Sequence, residues 1–430
     1  MPFDLAKSMR IAVIGSGISG HGAALALHGF GGISVTVYEE LPRIGGHANT
    51  ISVNYGGTRI AVDTGFIVYN ELNYPNYTAM LDWAQIKTIA SDMSFSLSVD
   101  DGAFEWCGRH VSPLGGLFSQ KSNAFDPGFY RFLLGIRSFQ KRAIADAEAG
   151  RIDDVSLGAY LENIGCHPRV RDDYVVPMGA AIWSMTPGEI LAFPAKSFMA
   201  FFNNHKLLQW DRPTWRTVHG GSRMYVEALQ RKLGHEIRAS TGVLMLETGG
   251  EAPIIRDTSG NSDIFDAVIV ATSAPRALQL LATPDQETRA VLSSFRVSQN
   301  HVVVHCDPAL MPKRKAAWAS WNLLRRTGSD KSAVTYWMNR LQSIPESHPL
   351  FVTLNPDRPI REDLVFSHID YEHPVYDAAA IAAQGRLHSI QGRKGVYFAG
   401  AWTGYGFHED GLRSGLEAAR RLGGVAPWLR

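Results

Sequence analysis

Short unbroken apolar runs and helix-spaced apolar stripes take turns along this chain. Ile11-Ala-Val-Ile14 is an apolar run that stops at Gly15, and an alanine-rich helical stretch follows. A second strand pattern, Ile33-Ser-Val-Thr-Val37-Tyr, ends at Glu39. The expected unit is strand, glycine turn, helix and strand, closed by a carboxylate. Val62 to Tyr69 reads as a strand and turn, Phe265 to Ala271 as a buried strand, and Gly395 to Gly400 as a strand before a helix at Gly411. His219-Gly220-Gly221 is a glycine turn opening a helix. Phe129, Phe132, Leu133, Ile136 and Ala143 recur at helical spacing, with Arg131, Arg137, Lys141 and Arg142 on the remaining positions. Phe198-Met-Ala-Phe201-Phe202 has the spacing of a core helix.

The first turn carries chemistry. Gly15-Ser-Gly17-Ile-Ser-Gly20 is a G-x-G-x-x-G fingerprint in its proper setting. Gly15 permits the tight turn, Gly17 lets a pyrophosphate approach the backbone, and Gly20 lets helix and strand pack closely. The helix N-terminus then offers free N–H groups to phosphates. Glu39 stands at about the offset of 20 expected for a ribose-binding carboxylate. After it come Arg43 and the pair Gly45-Gly46. A second glycine-rich segment is not needed for NAD but suits FAD, and Arg43 is placed to bond phosphate oxygens. Motifs of this kind lie at both ends of the chain and near its middle. The expected fold is therefore α/β: a discontinuous Rossmann-like FAD-binding domain, glutathione-reductase-like, with an inserted α+β substrate domain. The FAD-binding domain takes residues 1–70, 215–300 and 390–430, and the substrate-binding domain takes 71–214 and 301–389.

Composition narrows this little. The 430 residues are 45% hydrophobic and 19% charged, with a formal net charge of +1. No overall field favours nucleic acid. Cys107, Cys166 and Cys306 are far apart and read as free thiols of a reducing, cytoplasmic compartment. No signal peptide, membrane span, metal-ligand spacing, nucleophile elbow or P-loop is apparent.

The wider set of motifs resembles the flavin-containing amine oxidase superfamily. The matching pieces are the fingerprint, Glu39, Gly45-Gly46, Gly220-Gly221, Asp266-Ala-Val-Ile-Val-Ala-Thr272 and Phe398-Ala-Gly400. His219-Gly-Gly-Ser-Arg, Trp318-Ala-Ser-Trp321-Asn322, Thr335-Tyr336-Trp337-Met-Asn339 and Gly406-Phe407-His408-Glu409-Asp410-Gly411 resemble a narrower bacterial subfamily. That subfamily is similar to the N-terminal extension of plant cyclopropane fatty acid synthases. It is associated with desaturation of methyl-branched acyl chains on the way to furan fatty acids, beside methyltransferases of the cyclopropane-synthase type.

The resemblance implies an amine-oxidase-type fold and non-covalent FAD, since no cysteine lies in the C-terminal flavin-contacting segment. It implies a flavin site of Gly15, Gly17, Ile18, Ser19, Gly20, Glu39, Glu40, Arg43, Gly45, Gly46, His47, Thr64, Gly65, Phe66, Val243, Ala271, Gly400, Ala401, Gly411 and Leu412. Ala401 and Trp402 depart from the superfamily, where an acidic residue often follows Phe-Ala-Gly. His47 replaces a common arginine. No lysine occurs in Ser298–His305, where amine oxidases often carry one.

The middle of the chain offers aromatic material for a dry slot, including Trp183, Trp210, Trp321, Tyr336 and Trp337, with Trp183, Trp321, Tyr336 and Trp337 the substrate candidates. His408 and Glu409, at the entry to the last helix, are the candidate catalytic bases, with helix capping the alternative role. Three functional readings stay open: a desaturase of methyl-branched unsaturated acyl chains, an oxidase of a small amine, and a flavin-bound partner of a lipid methyltransferase. The first expects contact with the inner face of the membrane; the helix bearing Phe129, Phe132 and Ile136, flanked by Arg131, Arg137 and Lys141, is the candidate, with a core-facing helix and a solvated basic face the favoured alternative.

Overall fold

A computed structural model describes residues 9–28, 32–108, 116–208, 213–233, 236–329 and 332–429. Trp210 lies outside them. Ile11, Ala12, Val13 and Ile14 are all buried, so the first strand is apolar on both faces and must sit inside a sheet. It does. Met9–Ile14 pairs in parallel with Ile33–Tyr38 on one side and Ala267–Val270 on the other. Glu236–Arg238 and Val396–Phe398 extend the sheet to five parallel strands. Distant segments thus bring their strand ends to one edge, where an α/β sheet places its ligand. Two of those strands, ending at Ile14 and Phe398, flank Ala267–Val270.

The alanine-rich helix Ile18–Leu27 has every residue buried. It lies against the C-terminal helix His408–Arg420. Small residues make the approach close: a Cβ on Gly415 would overlap the Ser19 carbonyl oxygen, and one on Gly20 would overlap that of Gly15.

A seven-stranded sheet forms the second body. Its order is Val365–Val375, Arg296–His305, Phe351–Leu354, Ser332–Trp337, Trp321–Arg325, Phe95–Val99 and Phe104–Gly108. All neighbours are antiparallel except Trp321–Arg325 with Phe95–Val99. The second strand begins at Arg296, so it enters this sheet before the boundary expected at 300. A small sheet pairs Tyr69–Asn70 and Trp215–Val218, expected in the FAD-binding domain, with each other and with Thr88–Ser91, expected in the substrate-binding domain, and so links the two bodies.

Helices between residues 127 and 204 pack on the seven-stranded sheet. The longest, Pro127–Glu148, starts at Asp126, whose carboxylate accepts from the Gly128 N–H at 2.7 Å. Of the two readings of this helix, the core-facing one holds. Phe129 and Phe132 are fully buried, packed on Phe104, Trp106 and Phe118, and Ile136 is partly buried against the same core. The apolar stripe that gives the helix its period is therefore not available to a membrane. Phe198 and Phe202 stack at 4.2 Å inside the same core. No described helix is long and apolar enough to cross a membrane.

Candidate active site

A cavity of about 520 Å³ runs from the fingerprint turn to the face of the seven-stranded sheet. At its near end the turn is built as the glycines require. Gly15 has φ +101°, and its N–H donates to the Tyr38 carbonyl at 2.8 Å, tying the turn to the second strand. The following helix has no side-chain cap at its N-terminus, and Gly17, Ile18 and Ser19 line the cavity there. Free N–H groups and the positive helix end thus face the open space.

Glu39 closes the second strand and also lines the cavity. Its carboxylate accepts from the Ser16 N–H at 3.0 Å, the Ser16 hydroxyl at 2.6 Å and the Leu41 N–H at 2.9 Å. These bonds hold it rigidly beside the turn. Glu40, Gly46, His47, Gly65, Phe66, Val243, Ala271, Gly400 and Ala401 complete the expected residues on the lining.

The remaining expected cofactor residues stand behind the wall. Arg43 donates from Nη1 to the Gly46 carbonyl at 2.7 Å, which fixes the Gly-Gly turn. Gly45 donates its N–H to the Ser16 carbonyl at 3.1 Å. Thr64 bonds the Asn49 carbonyl and the Tyr371 hydroxyl. Gly20, Gly411 and Leu412 serve close packing: Leu412 fills the space over Gly22, and Gly411 lies against Ile18. Ala401 takes the place of the superfamily's acidic residue, and Trp402 beside it lines the cavity, is buried and donates its indole N–H to the Thr272 carbonyl at 2.9 Å.

The His408-Glu409-Asp410 triplet divides its work. His408 lines the cavity, stacked on Phe66 with ring centroids 3.6 Å apart, and its Nε2 meets the Tyr225 hydroxyl at 2.7 Å. Burial, then the neighbouring His47 and His21, hold its pKa well below 6.5. Glu409 is not on the lining. Its carboxylate accepts from the Asn76 and Tyr77 N–H groups at 3.1 and 2.9 Å and from the Asn76 side chain. It caps the helix Pro75–Trp83, so its oxygens are spent on structure. Asp410 closes its own loop, accepting from the Tyr405 and Phe407 N–H groups at 3.0 and 3.2 Å.

At the far end, Trp321 and Tyr336 reach the cavity, packed edge to face at 5.0 Å. Trp183 and Trp337 do not. Trp183 packs among Phe193, Phe198 and Phe201, and Trp337 packs with Trp318 on the opposite side of the sheet core. The wall also uses Met93, Phe95, Met178, Ala181, Ile182, Phe201, His205, Leu207 and Trp215. Sequence reading missed most of these, because they come one or two at a time from unrelated elements and carry no motif.

A buried carboxylate, Asp63, organises the back of the site. It accepts from Thr50 Oγ1 at 2.5 Å, from the Ser222 N–H and hydroxyl at 2.9 and 2.8 Å, and from Gln342 Nε2 at 2.9 Å. It therefore joins the glycine turn after His219 to both bodies of the fold.

The near end fits FAD. An uncapped helix N-terminus, glycine backbone and an oriented carboxylate share one cavity with a second glycine turn. Gly15, Gly17, Ile18 and Ser19 would hold the pyrophosphate, and Glu39 a ribose hydroxyl. Replacing Glu39 by Ala removes a charge-assisted bond and frees the Ser16 hydroxyl. FAD affinity is expected to fall by about 1.5–3 kcal/mol, roughly 10- to 150-fold. Flavin retained after dialysis, read by absorbance, checks this, and unchanged retention would count against that role.

A family model described as flavin-containing amine oxidoreductase matches residues 18–372. A search of curated protein sequences gives no match. Among solved structures, the chain is similar to a fatty acid isomerase producing CLA from P. acnes, at 17% identity and TM-score 0.67, covering 97% of this chain and 99% of the other. It is similar to cyclohexylamine oxidase from Brevibacterium oxydans, at 15% identity and TM-score 0.69, covering 96% and 98%. It is also similar to putrescine oxidase, at 15% identity and TM-score 0.65, covering 96% and 98%. With a model match over most of its length and a cavity suited to FAD, the chain belongs to the flavin-containing amine oxidoreductase family.

Proposed function

We propose that this flavin-containing oxidoreductase desaturates lipid acyl chains, with methyl-branched unsaturated chains as the substrate class and non-covalent FAD as the cofactor. The observation that carries the reading is the separation of polar from apolar lining. The charged lining residues gather at the dinucleotide end, where Arg276 donates to Glu40 at 3.2 Å and Glu372 accepts from Ser273 at 3.3 Å. Apart from Ser94, whose N–H and hydroxyl are bonded to Asp92, and the Tyr336 hydroxyl, the far wall is hydrocarbon and aromatic ring, from Met178, Ala181 and Ile182 to Trp321 and Tyr336. Its one imidazole, His205, stacks on Phe201 at 3.9 Å and is pushed by burial down to about 4, so it is neutral. Such a wall gains by burying methylenes and has no charge to offer an ammonium group. The fatty acid isomerase among the fold neighbours is consistent with an acyl chain in this fold. None of the three cysteines lines the cavity, which leaves no thioether donor there.

Bound FAD supplies a two-electron acceptor for hydride. The chain's own residues do the rest. The aromatic wall excludes water and aligns the acyl chain. A double bond or branching methyl beside the reacting carbon stabilises the positive charge left there as allylic or tertiary. The adjacent C–H then becomes a strong acid, so even a weak base removes its proton and completes the new double bond. His408, neutral and on the lining, is the group we assign to that proton. Glu409 is passed over because its oxygens already cap a helix.

Anaerobic mixing with a detergent-dispersed methyl-branched unsaturated phospholipid is expected to bleach the flavin absorbance, while putrescine and cyclohexylamine leave it yellow. Bleaching by the amines alone would replace this reading with amine oxidation. Bleaching by neither would favour a non-catalytic flavin-bound partner of a methyltransferase.

A further inference from the structure

We propose that the outer face of the helix Pro127–Glu148 is a docking surface for an anionic lipid bilayer. The inner face of this helix is committed to the core through Phe129, Phe132, Phe139 and Ala143. The opposite face carries Tyr130, Leu134, Arg137 and Lys141, spaced four, three and four residues apart, which puts them in one stripe. Leu134 is 68% exposed and Tyr130 45%, and Phe125, in the turn leading into the helix, is 89% exposed. Exposed apolar side chains scattered singly need no explanation; three large ones on one helical turn and its approach do.

Charge selects the occupant. Lys121, Arg131, Arg137 and Lys141 are exposed around these side chains. None of the four makes an ion pair among the described residues. The contrast within the same helix is plain, since Arg142 and the nearby Arg151 are both held by Asp146, at 2.7 and 2.9 Å. The acidic residue at the start of the face, Asp126, is used as the helix cap. The surface therefore combines unneutralised positive charge with apolar side chains standing out from a helix. A fluid interface of anionic headgroups and acyl chains satisfies both at once. The helix also packs on Ala195–Asn204, whose Phe201 lines the cavity, so the face lies one helix layer from the apolar wall. Delivery of an acyl chain from the bilayer rests on the lipid reading above, whereas the docking itself does not.

The test is co-sedimentation of the FAD-loaded full chain with vesicles. Binding is expected to phosphatidylglycerol–phosphatidylcholine vesicles and not to phosphatidylcholine alone, and to weaken as salt rises. The double variant Arg137→Glu/Lys141→Glu is expected to lower the partition coefficient at least roughly 10-fold, and Phe125→Ser/Leu134→Ser by a similar factor of about 10. All four positions are exposed, so flavin absorbance and melting temperature should match the parent protein. Equal binding to both vesicle types, unchanged binding by the variants, or retention by an acidic protein with none by vesicles would overturn the proposal. The detergent-dispersed lipid assay separates the two readings. Vesicle binding without bleaching leaves the docking surface standing and removes the acyl-chain reading. Bleaching without vesicle binding does the reverse.

Discussion

Gly415→Val is expected to destabilise the protein by about 3 kcal/mol and to strip it of flavin, because two helices can no longer touch. Gly415 sits in the C-terminal helix where it crosses the alanine-rich helix Ile18–Leu27. A Cβ there would overlap the Ser19 carbonyl oxygen, with the Ala23 nitrogen 3.1 Å away. Both obstacles are backbone, so no rotamer change relieves them; the helices must separate. Ile18 and Ser19 are also the residues that carry the uncapped helix end into the cavity. Overpacking is thus expected to move the pyrophosphate site along with the core. Thermal melting and flavin content of the purified variant measure both effects. A variant with the parent's melting temperature and full flavin would show that the contact is looser than this geometry. Gly415→Ala is the milder comparison, since it introduces the same overlap with no further atoms.

The second large effect is expected with pH. Several imidazoles are buried neutral. His305 is fully buried, accepts from the Asp307 N–H at 3.1 Å, and meets Thr353 Oγ1 at 2.7 Å with its other nitrogen. Burial pushes His305 and His205 down to about 4 and His373 to about 3. Burial also lowers His21 and His408. In the unfolded chain each takes up a proton near 6.5. Between 6.5 and about 4, therefore, the unfolded state binds more protons than the folded one, and stability falls as pH falls. His305 alone accounts for about 3 kcal/mol across that window, at about 1.36 kcal/mol per pH unit. Asp63 acts in the opposite sense. Burial raises it to about 6, so it takes up its proton earlier in the folded state and supports the fold as pH drops. Burial raises Asp410 in the same sense, and two carboxylates against this many imidazoles do not reverse the trend. Melting temperatures measured from pH 8 to 4 are expected to be flat above about 7 and to decline steadily below 6.5. A maximum near pH 5 would mean that the imidazoles are hydrated and titrate freely. His305→Gln should flatten part of the decline, because a neutral amide has no proton to take up.

Several residues were legible from the chain because their roles are local. Gly15 and Gly20 answer to a turn and a helix start within six residues, so the fingerprint announces itself. Glu39 closes the adjacent strand, and the structure finds it bonded to Ser16 across the turn. The apolar strands Ile11–Ile14 and Val268–Val270 are apolar because both faces are covered, a requirement that leaves a mark in the sequence. The amphipathic stripe of Pro127–Glu148 was equally visible, but a stripe shows which residues share a face and not what that face meets. Tertiary structure turned Phe129 and Phe132 inward and left Leu134 and Tyr130 outside.

The candidate site shows the same division. Which side chains line the cavity depends on how strands and helices from distant segments meet. Tyr336 and Trp337 are neighbours on one strand, and the pleat sends them to opposite faces, only one of which is the cavity. His408 and Glu409 are neighbours in one helix turn, yet one faces the cavity while the other finds the open end of the helix at Pro75. Arg43 was legible as a phosphate-binding group, but its bond from Nη1 to the Gly46 carbonyl, which ties it to the glycine turn, was not. By itself the sequence determined the strands, the glycine turns and the dinucleotide chemistry, because spacing within a few residues encodes them. Only the tertiary structure decided which aromatic rings form the apolar wall and which ionisable group stands on it, because those depend on contacts between residues hundreds of positions apart.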